Sequence, residues 1–94
     1  MNCIEIDRAD YLRQKLKRID EQIRESKAFR DNYATDIKCI RQRLNEVADG
    51  REYLEQGLIR SYLGKEHHRY MLQAARVYKK QVHRQLEKLK NASN

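Results

Sequence analysis

The chain has 94 residues, 39% apolar and 37% charged, with a mean hydropathy of −1.06. That supplies one thin domain at most, too poor in apolar area for a broad globular core, so any apolar seam must be covered by the chain's own later helices or by a companion. No run of about 18 apolar residues exists to span a membrane, and residues 1–7 hold no apolar stretch of the signal-peptide kind, so a cytoplasmic location is expected.

Two cysteines, Cys3 and Cys39, lie far apart with no Cys-x-x-Cys partner, which predicts reduced thiols and no disulfide framework. The net charge of +7 is uneven. Residues 1–50 carry eleven Lys/Arg against ten Asp/Glu, whereas residues 51–94 carry ten against four. A half with an excess of six positive charges points to an acidic partner: nucleic acid, an anionic surface or an acidic protein.

The first predicted element is one long helix over about 7–48. Leu12, Leu16, Ile19, Ile23, Ser26, Arg30, Tyr33, Ile37, Ile40, Leu44 and Val47 follow alternating steps of four and three, the a/d spacing of a helix that packs along its whole length. Asp7 suits the N-cap, because its carboxylate can accept from a free backbone N–H of the first turn. Asp49-Gly50 is the strongest break: Gly50 can take φ > 0, and Asp49 with Glu52 has the spacing of an acidic capping box for the next helix.

A second helix is expected over about 51–63, with Leu54, Leu58, Ile59, Tyr62 and Leu63 apolar. A third is expected over about 65–90, with Met71, Ala75, Tyr78, Val82 and Leu89 on one stripe and Lys88 and Lys90 at the negative end of its dipole. Extending that stripe backward reaches His68, Gly64, Ser61, Gly57 and Leu54, mostly small or polar, so the stripe changes direction near Gly64. The expected fold is therefore all-α: a long helix and two shorter ones in coiled-coil-like packing, within an oligomer. A continuous helical hairpin is the close competitor, and residues 91–94 read as a frayed tail.

The most concrete surface feature is a basic face on the last helix, made by Arg69, Arg76, Lys79, Lys80 and Arg84 with His68 and His83 beside them. Such a face binds phosphates or carboxylates by charge. Tyr11, Tyr53 and Tyr70 fall outside the seams, where an aromatic supports a second interface. His67 and His68 are adjacent and point about 100° apart on a helix, so no metal site is expected. No cofactor motif is present. Arg30, inside an apolar seam, needs a carboxylate or an anionic ligand, or must run its stem along the seam to water.

Leu12-Arg13, Ile19-Asp20, Arg30, Arg41 and Asp49 with Arg51-Glu52 resemble the all-helical chorismate mutases, small dimeric enzymes with one long and two shorter helices. The resemblance implies that Arg13, Arg30 and Arg51 bind substrate carboxylates, Glu52 contacts a hydroxyl and Gln85 is the late glutamine. Arg41 stands where that family has its catalytic lysine. Read from the residues themselves, the chain is instead expected to be a non-enzymatic interaction protein: an adaptor, small chaperone or regulatory factor. It would form a homodimer or pack a helical partner, and would present its basic face to an acidic partner. Direct nucleic-acid binding is the alternative.

Overall fold

The computed structural model describes residues 7–92. They form two helices, α1 (Arg8–Glu46) and α2 (Arg51–Ala92), folded back on each other as an antiparallel hairpin 70 × 24 × 13 Å in extent. The radius of gyration is 20.9 Å, whereas a compact domain of this length has about 12 Å. The molecule is a rod.

The start of α1 follows from Asp7, whose Oδ1 accepts from the Ala9 backbone N–H at 3.1 Å while its carbonyl accepts from Asp10 and Tyr11. The end follows from residues 47–50. Val47 leaves the helix with extended backbone angles, and Gly50 takes φ +76°, the left-handed conformation that costs glycine least. The Gly50 carbonyl accepts the Leu54 N–H, so Gly50 and not Asp49 caps α2. The expected Asp49–Glu52 capping box is thereby corrected: with Gly50 at the N-cap the third helical residue is Tyr53, and neither Gly50 nor Tyr53 can make the reciprocal side-chain bonds. Arg51 adds a clasp: its Nη1 donates to the Leu44 carbonyl at 2.5 Å and to the Val47 carbonyl at 3.3 Å, satisfying oxygens that the end of α1 leaves free.

The predicted seam of α1 is the face that α2 covers. Leu12, Ile19, Ser26 and Ile37 are buried, and Leu16, Ile23, Arg30, Tyr33, Ile40, Leu44 and Val47 are half-buried. Leu12, Ile19 and Val82 form the apolar core near the open end of the hairpin, with Leu16, Ile23, Ala75, Leu86 and Leu89 packed against it. Full burial of a side chain such as Leu12 or Val82 contributes about 1.5–3 kcal/mol.

The expectation of two shorter helices is corrected: residues 51–92 are one helix, with Gly64 inside it. Residues 91 and 92 belong to α2, and residues 93 and 94, with Cys3, lie outside the described residues. The reason lies in the inner line of α2. Leu54, Leu58, Ser61, Lys65, His68, Leu72, Ala75, Lys79, Val82, Leu86 and Leu89 are all buried or half-buried, and they keep the four-three step without interruption. The phase never changes at Gly64. What changes is chemistry, because the line passes through Ser61, Lys65 and His68.

Gly64 fits its place for a steric reason. A Cβ there would lie 2.6 and 2.7 Å from the two Cε atoms of Tyr33, so the missing side chain lets the tyrosine ring rest on the α2 backbone. Beside it, the His68 ring stacks on Phe29 at 4.8 Å and on Tyr33 at 5.9 Å between centroids. The Asp20–Lys79 ion pair, 2.7 Å, pins the same antiparallel register nearer the open end.

Candidate functional site

The hairpin consumes one face of each helix and leaves two backs. Along the back of α1 run Lys17, Glu21, Ala28, Thr35 and Cys39, a polar row. The back of α2 is different. At about 100° per residue, Ile59, Leu63, Tyr70, Ala74 and Val77 share one outward stripe, opposite the buried line. Four of them are large and open to solvent: Ile59 60%, Leu63 66%, Tyr70 68% and Val77 52% exposed. Tyr70, Gln73, Ala74, Val77, Tyr78 and Gln81 line a shallow groove of about 390 Å³ on this stripe.

Beside the stripe, along one edge, lie Arg69, Arg76 and Lys80, and Arg84 stands at the C-terminal end of the stripe, seven residues after Val77; all four are exposed. Arg69 reaches Glu66 at 3.4 Å; Arg76, Lys80 and Arg84 have no ion pair among the described residues. No Asp or Glu occurs between Glu66 and Glu87, so Arg76 and Lys80 have no carboxylate three or four residues away on their own helix, and Arg84 has only Glu87 at that spacing. Lys79 stands apart from this row. It turns toward α1, where its ammonium meets Asp20. His68 also faces inward, its Nδ1 buried and without a hydrogen-bond partner among the described residues.

The residues singled out by the mutase resemblance are dispersed along the rod. Arg13 pairs with Asp10 at 2.7 Å. Arg30 binds Asp31 Oδ1 through Nε and Nη2, each at 3.2 Å, a local ion pair that accounts for an arginine in the seam. Arg41 donates to the Tyr62 hydroxyl and lies over its ring at 5.4 Å. Arg51 clasps the turn, Glu52 is exposed in the first turn of α2, and Gln85 is exposed seven residues before the end of α2. Arg13 and Arg51 are separated by the stretch of α1 from Arg13 to Glu46, about 50 Å at 1.5 Å per residue. Within one chain these six side chains do not converge on a common pocket. Among the described residues no group of three or more His, Cys, Asp or Glu lies close enough to hold a metal ion, and no helix is long and apolar enough to cross a membrane.

The outward stripe is what the sequence reading missed. Ile59 and Leu63 were expected on the packed face with Leu58 and Tyr62; they point away from it. The signal was present in the seven-residue step Leu63, Tyr70, Val77, a second apolar line in phase opposition to the first. The chain matches no family model, no characterised protein and no solved structure.

Proposed function

We propose that the chain is a non-enzymatic helical interaction protein, an adaptor, small chaperone or regulatory factor that holds an acidic partner against its basic C-terminal half. The observation that carries this reading is the twenty-residue stretch of α2 from His67 to Leu86 that holds no carboxylate, while Arg76, Lys80 and Arg84 stand in solvent with no ion pair among the described residues. Exposed cations repel one another, and an acidic partner relieves that repulsion and gains association rate by electrostatic steering. The seam of α1 is already covered by α2, so association through α1, with a second copy or with a partner helix, requires the hairpin to open. The surface left for a partner is the back of α2.

Capture from host extract on the immobilised chain tests the reading. An acidic protein retained at about 0.05 M salt, released at about 0.3 M, and lost with Arg76→Glu/Lys80→Glu is the expected result. Retention of nucleic acid, abolished by nuclease, transfers the same basic row to nucleic-acid binding, which the row also favours. A lone monomer in sedimentation that retains nothing overturns the proposal.

A further inference from the structure

Charge alone leaves the apolar half of this surface unexplained. Ile59, Leu63, Tyr70 and Val77 stand in solvent on a chain that has little apolar area to spare, while the back of α1 carries no comparable line. Scattered exposed apolar residues are ordinary, but a row at helical spacing along about 27 Å of one helix, at 1.5 Å per residue from Ile59 to Val77, is the footprint of another helix. The groove at Tyr70, Ala74 and Val77 is a shallow hollow of the kind a side chain from a facing helix enters. Ala74 and Tyr78 also line the adjoining cleft with Ile19, Gln22, Met71 and Ala75, so the outward stripe is continuous with the packing between α1 and α2.

Resting on the proposed function, we infer that the back of α2 docks an amphipathic α-helix of a partner protein, about 18 residues long, with an apolar seam on Leu63, Tyr70 and Val77 and a row of carboxylates along one edge against Arg69, Arg76, Lys80 and Arg84. A second copy of α2 does not fit. Packed antiparallel about Tyr70, the two copies would bring their basic rows to the same edge; packed parallel, each row would face His67, Tyr78 and Gln85. The parallel arrangement supplies no carboxylate, and the antiparallel one sets only Glu55 and Glu66 against the four cations, with Glu66 already meeting Arg69. A duplex nucleic acid would use the cations and leave Leu63 and Val77 without a role. The row also orients the partner: its carboxylates lie toward the C-terminal end of α2, since the row runs from Arg69 to Arg84 while the stripe begins at Ile59.

The test uses the full chain and a labelled synthetic 18-residue helical peptide with leucines at i, i+3, i+4 and i+7 spacing and glutamates along one edge. Two control peptides replace the glutamates by lysine or scramble the leucines. Fluorescence anisotropy is expected to show saturable binding of the glutamate peptide in the micromolar range, the class of a small interface. Binding should weaken at least about tenfold in Arg76→Glu/Lys80→Glu and, separately, in Leu63→Ser/Val77→Ser, a loss that corresponds to about 1.4 kcal/mol or more. Tyr70→Ser provides a second apolar variant, and unchanged circular dichroism certifies all three folds. No binding, equal binding of a control peptide, or indifference to Leu63, Tyr70 and Val77 overturns the inference. So does displacement of the peptide by duplex DNA or phosphatidylserine vesicles whose own binding ignores Leu63 and Val77, or a dimer in sedimentation that Leu63→Ser/Val77→Ser dissolves. If the peptide fails while charge-dependent capture of an acidic host protein persists, the helix inference falls and the proposed function stands. If both fail, both fall.

Discussion

Single side chains decide how close α1 and α2 come. Tyr33 occupies the space that a side chain at position 64 would fill. Gly64→Ala is therefore set between two effects: about 1 kcal/mol of helix propensity gained by alanine in a helix interior, and an overpacking cost of about 1–3 kcal/mol as the tyrosine ring is displaced. The substitution is expected to destabilise the hairpin by about 1 kcal/mol, yet to stabilise it by a similar amount in a Tyr33→Ala background; urea melts of the four-member cycle measure both signs. If Gly64→Ala stabilises both backgrounds, the contact has no energetic weight. Lys15 offers a test in pH. Its ammonium sits over the rings of Tyr78 at 5.1 Å and Tyr11 at 5.3 Å, and its pKa is raised, first by hydrogen bonding to Tyr78, with desolvation opposing and the charges of both tyrosines adding. A raised folded-state pKa favours folding fully below the ordinary lysine value and loses that contribution as pH climbs through the folded one. The stability difference between wild type and Lys15→Met should thus be constant from neutral pH to about pH 9 and change only above about pH 10.4. A difference that already changes between pH 6 and 8 would mean another group is responsible.

At the scale of the element, the seam between α1 and α2 and the outer face of α2 should respond very differently to the loss of an apolar side chain. Leu12→Ala removes a fully buried partner of Val82 from the core cluster and is expected to cost about 2–5 kcal/mol, enough to melt a thin hairpin at room temperature. Leu63→Ser, on the outer face, should stay within about 0.5 kcal/mol of wild type. Thermal melts by circular dichroism read both, and a large loss from Leu63→Ser would place that residue in the packing after all. The same contrast explains what the sequence disclosed. All eleven seam positions of α1 were legible because most are aliphatic, and Asp7 and Gly50 marked its limits through ordinary capping and turn chemistry. In α2 the inner line was not followed past Gly64, because Ser61, Lys65, His68 and Lys79 occupy its a/d positions and polarity was taken for exposure. Leu72 and Leu86, both on that line, went unassigned for the same reason, and Ile59 and Leu63 were turned inward. Polar residues hold a heptad position when a neighbour meets them. Lys79 has Asp20 and His68 has the Phe29 and Tyr33 rings, and no single-chain periodicity reveals such partners. Of the basic face, Arg69, Arg76, Lys80 and Arg84 were visible as a row at helical spacing; the apolar stripe beside them emerges only once the buried line is known.

Over the whole molecule, apolar burial is concentrated away from the turn. The cluster of Leu12, Ile19 and Val82 lies toward the open end, and in the middle of the rod the buried aliphatics Ile37 and Leu72 alternate with Ser26, Arg30, Tyr33, Ser61 and His68. Roughly seventy residues of chain separate Leu12 from Val82, whereas Val47 and Leu54 line one cleft across a short connection, and loop-closure entropy grows only logarithmically with that separation. The chain therefore has two competing routes to its native state. It can close the short turn first and extend pairing through a middle where polar side chains interrupt the aliphatic line, or it can bring distant apolar ends together directly for an added cost of only about 0.6 kcal/mol per doubling of loop length. The weakest stretch is then flanked on both sides: by a covalent turn clasped by Arg51 and by an oily clamp at the far end. Opening of this rod should begin as a bubble in its waist, with both extremities still shut.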